Sequence, residues 1–198
     1  GYSDEQPQHT VDIPYDYYLG RFPITNADYQ RFAGSKFKVE SGKENHPVVR
    51  VSWHEAQKYI IWLNENHVEA LPEDHRFALP SEAEWEKAAR GEYANEWPWG
   101  NDFDKTKCNS SEGEKGATTP VEAYPSGVSP YGVMDMVGNV WEWTHSLLKN
   151  YPYEADDGRE SENESGSRVL RGGSFGNSHK IVRCAVRYNY APDYHGSS

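Results

Sequence analysis

The sequence predicts one α+β domain. Three capped segments of helical periodicity lie in the first half, and short apolar runs broken by turn residues fill the second. No boundary divides the halves, because the helical half cannot bury its apolar faces without the other half as a partner layer. A chain of 198 residues, 36% hydrophobic with 7 Trp and 14 Tyr, carries enough large packing residues for a core and is not disordered.

From Thr10 to Thr25 the chain is rich in Tyr, Ile and Val, and Pro14, Gly20 and Pro23 interrupt it, which predicts two short strands with a bend. Thr25 opens T-N-A-D, a capping-box start for a short helix carrying Tyr29 and Phe32 and ended by Gly34. Ser52 opens S-W-H-E, with Trp53, Ala56, Ile60 and Leu63 following at helical spacing. Ser81 caps a third helix with acids in its first turn, Lys87 and Arg90 in its last and Gly91 just beyond, so both ends of the helix dipole are matched. After Gly91 the chain turns loop-rich with short strands. The acidic row from Tyr151 to Ser167 has little apolar content and is expected to be a solvated excursion, with a calcium loop as the lesser alternative.

Charge and composition exclude several classes of function. A net charge of -11 repels phosphate backbones and anionic lipid, so nucleic acid is not an expected partner. Membrane insertion is not expected either, because no run approaches the roughly 20 apolar residues of a span, and Gly1 to His9 lack a signal-peptide pattern. Cys108 and Cys184 are too few for a disulfide framework; they are two buried thiols or one bridge. There is no P-loop, no G-x-G-x-x-G, no H-E-x-x-H and no G-x-S-x-G, and the eight histidines are scattered.

Several phrases together resemble one family: PITNADYQRF, HPVVRVSWHEA, FALPSEAEWEKAARG, PWG, TPVEAYPSG, YGVMDMVGNVWEWT and RVLRGGSF. In that order, over nearly the whole chain, they resemble the formylglycine-generating enzyme or sulfatase-modifying-factor family. The resemblance implies the family's variant of the C-type lectin fold over 1–198, with two main helices, short strands and much irregular structure. The family's oxidases carry a cysteine pair just past the phrase that here runs from Arg168 to Phe175, where thiolates hold copper. Here Gly176, Asn177, Ser178, His179 and Lys180 follow instead, so no copper and no formylglycine-forming catalysis are expected. The family also implies calcium, at positions matching the side chains of Asp135 and Glu142 and the carbonyls of Gly138 and Val140, a set of hard oxygen donors. The alternative is that Asp135 caps a turn and Glu142 pairs with an arginine. A second, weaker family site matches Asn109 and Ser110.

Residues 175–198 mix constant-looking positions with Tyr, Asn, His, Ser, Asp and Gly, a paratope-like composition. The chain is most like a subgroup of the family, the variable proteins of diversity-generating retroelements, in which AAY codons become NNY and so never encode Lys, Glu, Gln, Met or Trp. Those five types make up 42 of the first 174 residues but only Lys180 among the last 24, a depletion that favours diversification of this stretch. The displayed positions would be Phe175, Gly176, Asn177, Ser178, His179, Val186, Tyr188, Asn189, Tyr190, Asp193, Tyr194 and His195, binding a protein or other surface ligand. Phe175 and Val186 have packing as their alternative. The competing functions are a sulfatase-modifying oxidase and a fixed sensory or carbohydrate-binding domain. Family chains usually close with a G-F-R strand that this sequence does not show before Ser198, which puts the pairing of the first strand in question.

Overall fold

The structure is a computed structural model that describes residues 1–154 and 156–196. Its helices α1 (Asn26–Ala33), α2 (Trp53–His67) and α3 (Glu82–Arg90) start where the capping chemistry places them. Thr25, Ser52 and Ser81 each accept from the backbone N–H three residues on, and Asp28, Glu55 and Glu84 reach back to the cap. Positive-φ glycines end α1 and α3: Gly34 at 66° and Gly91 at 67°. All three predicted helices are present; α2, with 15 residues, is the longest.

The strands come late. β1 (Glu142–Leu147), β2 (Arg168–Arg171) and β3 (Arg187–Tyr190) form an antiparallel sheet in sequence order. β1 is irregular between Trp143 and Leu147, while β2 and β3 pair without interruption from Arg168↔Tyr190 to Arg171↔Arg187. α3 lies against β1 and β2, burying Trp85, Ala88 and Ala89 in a core with Trp97, Met136, Val137, Val182 and Cys184. Gly138 (φ 81°) sits where a Cβ would come within 2.4 Å of the Asn109 carbonyl oxygen, so only glycine lets these two loops meet.

Charged groups are packed into this interface. Glu82 of α3, fully buried, accepts from Arg187 Nε at 2.6 Å and Arg187 Nη2 at 2.8 Å, with Arg171 Nη1 at 3.5 Å. Arg171 also reaches Glu86 and donates to the carbonyls of Cys184, Ala185 and Val186. Its guanidinium lies 5.2 Å from the Trp85 ring, and that of Arg187 lies 4.0 Å from Tyr151. One carboxylate thus joins α3 to both β2 and β3.

Two expectations are corrected. The stretch from Thr10 to Thr25 forms no strand ladder; its one bridge is Thr25 with Pro47. Pro14 and Pro23 lack the N–H a ladder needs, and point contacts hold the segment instead: Tyr17 Oη donates to the Glu84 carbonyl and Met134 N to the Arg21 carbonyl. The acidic excursion is not merely solvated. Arg159 is buried against Asp157, and Arg168 collects the carbonyls of Ser161, Glu162 and Glu164. Glu160 accepts from Ser146 Oγ at 2.7 Å and from the Tyr153 hydroxyl, with His145 Nε2 at 2.5 Å. Arg168 and His145 of the sheet, with Arg159 of the excursion itself, hold the acidic loop against the fold.

Replacing Glu82 with Gln leaves the buried Arg187 guanidinium without an anion while Arg171 keeps Glu86, and a loss of about 3–5 kcal/mol is expected in urea denaturation; a loss under about 1 kcal/mol would show that the pair does not hold the sheet. The His145–Glu160 pair adds a pH window. Burial would lower the His145 pKa, but Glu160 outweighs it and the net shift is upward from 6.5, whereas burial raises and His145 lowers Glu160, net downward from 4.5. The histidine's contribution is full below 6.5 and fades as pH rises through its folded pKa, and the carboxylate's fades as pH falls below 4.5. Thermal stability should therefore decline above that window, and His145→Gln should flatten the alkaline decline.

A candidate binding surface at the end of the sheet

The arrangement of β3 decides what the last stretch displays. Alternate side chains of a strand point to opposite faces, and Arg187 is held inward by Glu82, so Tyr188 and Tyr190 share the outer face. The chain then turns, with Tyr194 N donating to the Ala191 carbonyl, and is tied to the start of α2 by His54 N on the Pro192 carbonyl at 3.4 Å. The turn lays Tyr194 on Tyr190, ring centroids 3.7 Å apart and planes 21° apart. Tyr188 meets Tyr190 nearly edge-on (5.2 Å, 65°) and lies against Trp141 at 5.4 Å. His195 Nε2 reaches Glu55 Oε2 at 3.0 Å, and Asp193 is exposed.

Beside these rings runs an apolar groove of about 280 Å³, lined by Phe22, Ile24, Val48, Ile60, Met134 and Trp143, with Tyr190 and Tyr194 at its end. Its charged lining residues are Arg50 and Glu142. A larger cleft of about 1010 Å³ between residues 1–13 and α3 holds none of the predicted site residues.

The twelve predicted display positions divide. Tyr188, Tyr190 and Tyr194 are brought together on one surface, with Asp193 and His195 exposed in the turn beside them, whereas Asn189, half-buried, alternates to the other face of β3. Val186 is corrected: just before β3 it is 3% exposed, so it packs rather than displays, and its carbonyl is bound by Arg171. Phe175 to His179 form a separate, pinned loop. Phe175 is half-buried and its N–H donates to the Asn139 carbonyl; the Asn177 side chain accepts from Ser174 N and Oγ; Gly176 is exposed and Ser178 half-buried. His179 binds Glu112 through backbone N and ring Nδ1, both at 2.8 Å, and burial, which would raise the Glu112 pKa, is overcome by these bonds, leaving it at about 2. Trp141 was not among the predicted positions, although it stands in the same V-W-E-W phrase as Glu142.

The residues implied for calcium lie together. Asp135 (φ 58°) is 8% exposed and accepts from Asn139 Nδ2 at 2.8 Å, while Glu142 accepts from Trp85 Nε1 at 2.8 Å. Pairing of Glu142 with an arginine is corrected, since among the described residues its partner is the indole. Burial pushes Asp135 up to about 7 and Glu142 up to about 8, so the two neighbouring carboxyls lack a compensating cation. Gly138 and Val140 stand between them in the same loop. The donor set fits a hard divalent ion. At the second place, Asn109 Oδ1 is buried without a partner, whereas Ser110 Oγ donates to Glu112.

Cys108 and Cys184 are free and buried, which decides against a bridge; burial pushes both thiols up to about 12, far from the thiolates a soft metal needs.

Fold and site together define a small α+β scaffold that carries an aromatic surface at the end of its sheet. The chain belongs to the family described as sulfatase-modifying factor enzyme 1-like domain, which it matches over residues 1–198. It is 32% identical to the serine/threonine-protein kinase Pkn1 of Chlamydia trachomatis over 97% of this chain and 33% of that protein. It is 34% identical to the inactive C-alpha-formylglycine-generating enzyme 2 of Bos taurus over 86% of this chain and 54% of that protein. The chain thus spans about a third of the first of these relatives and about half of the second. Among solved structures, variable protein 1 of Treponema denticola superposes with a TM-score of 0.71 at 23% identity, covering 88% of this chain and 79% of that one. The fold is the C-type lectin fold in this family's variant.

Two substitutions separate packing from display. Val186→Ala is expected to cost about 2 kcal/mol in chemical denaturation, and Tyr188→Ala less than about 0.5 kcal/mol. Equal costs would place both side chains in the same environment.

Proposed function

We propose that this chain is a non-catalytic ligand-binding domain of the retroelement-diversified type, recognising a protein or other surface ligand through Tyr188, Asn189, Tyr190, Asp193, Tyr194 and His195. The observation that carries this reading is the surface itself. Three tyrosine rings in a chain of contacts stand at the end of the sheet, with Trp141 against the first, on a stretch of 24 residues from which Glu, Gln, Met and Trp are missing. Tyrosine offers large amphipathic area at small entropic cost, and the buried Arg187 beneath it keeps the scaffold independent of what is displayed. The similarity to a variable protein of the same fold and to a relative named inactive supports the same reading. Against an oxidase stand the two buried, protonated thiols and the lack of a cysteine between Phe175 and Lys180.

The decisive comparison is genomic. The reading expects a near-copy of the 3' coding segment, differing mainly at adenines, beside a reverse transcriptase gene, with variation among isolates confined to the exposed positions. Uniform divergence along the gene would instead favour a fixed sensory or carbohydrate-binding domain.

Asp135 and Glu142, with the carbonyls of Gly138 and Val140, are further proposed to hold Ca²⁺, which would neutralise two buried carboxyls and stiffen the loop under β1. Calcium should raise the melting temperature of chelator-treated protein, and Asp135→Asn should remove that rise. A melting point indifferent to calcium would exclude the site.

A further inference from the structure

We propose that the aromatic surface takes a cationic side chain, a lysine or arginine presented by a protein partner. This rests on the binding reading above and gives it a ligand class. Trp141 with Tyr188 and Tyr190 with Tyr194 form two walls that meet at 65° between Tyr188 and Tyr190, an aromatic corner rather than a flat patch. Ring faces are electron-rich, and a corner offers a cation two of them within the roughly 6 Å over which the attraction acts. The Tyr190–Tyr194 pair sharpens the preference. Its 3.7 Å centroid separation sets two negative faces against each other, closer than the 4.5–7 Å that aromatic pairs favour, and a cation on an outer face offsets that repulsion.

The charge around the corner agrees. Glu55 borders it through His195, Asp193 is exposed in the turn that builds it, and the whole chain carries -11. The arginine of β3, Arg187, is spent on Glu82, and Arg183 on Glu5. Arg50, in the adjoining groove, is the opposing charge on that side and sets the direction of one test. Tyr188 (46% exposed) and Tyr194 (41%) leave the corner open to a partner.

The test uses the full chain and a glycine-rich pentapeptide carrying two arginines, compared with the same peptide carrying citrulline, a neutral isostere. Binding is read from tyrosine and tryptophan ring resonances. The arginine peptide should bind more tightly, by about two- to fivefold for each ring wall engaged, and the preference should shrink as salt is raised. Tyr188→Leu and Tyr194→Leu, which preserve bulk, should each abolish most of the preference, Asp193→Asn should reduce it and Arg50→Ala should increase it. Equal binding of the two peptides at the corner would overturn the cation proposal and leave the binding surface standing. Tighter binding of a neutral oligosaccharide there would likewise overturn it in favour of a sugar site. If neither peptide perturbs these rings and a library varied at 188–195 yields no binders, the binding surface falls with it.

Discussion

The Glu82 carboxylate, fully buried between the guanidiniums of Arg187 and Arg171, is the interaction on which the rest of the structure depends. It sits at the start of α3 and holds the central strand β2 and the edge strand β3, so it couples the helical half to the sheet. A buried pair is weak evidence of net stability, because taking both charges out of water costs nearly what their attraction returns. Its strength here is geometric. A slip of β3 by one residue would turn Arg187 outward and the tyrosines into the core, leaving Glu82 without its bidentate partner.

That constraint explains how one surface can vary while the fold stays constant. Side chains facing α3 are committed to charge pairing, as Arg187 and Arg171 are, whereas the outward tyrosines pack only on one another and on Trp141. The tyrosines of β3 meet Trp141 from the loop before β1 and Tyr194 from the turn after β3. Substitutions on the outer face therefore leave the charge pairing beneath it untouched. The 175–179 loop is different: Asn177 and His179 bond to Ser174 and Glu112, so changes there act on loop shape before they act on a ligand.

Buried charge recurs through the molecule. Arg168 gathers three carbonyls of the acidic excursion, Arg159 lies against Asp157, and His145 pairs with Glu160, so an acidic loop is folded down by cations. Asp135 and Glu142 are the exception, two adjacent buried carboxyls without such a partner.

The sequence by itself determined the three helices and the family, because a cap is complete within four residues and motif phrases such as GNVWEW or RVLRGGS are local strings. Of the twelve positions it expected on display, Tyr188 and Tyr194 are exposed large aromatics. It misjudged what depends on distant partners. The Thr10–Thr25 stretch has strand composition but no ladder, the acidic excursion is tied through Glu160 to Ser146 and His145 of β1, and Val186 is buried just before β3. The aromatic corner, too, exists only once a turn stacks Tyr194 on Tyr190 and the sheet carries Trp141 to Tyr188. Which face of a strand is seen is set by pairing and burial across the whole fold, and no window of local residues carries that information.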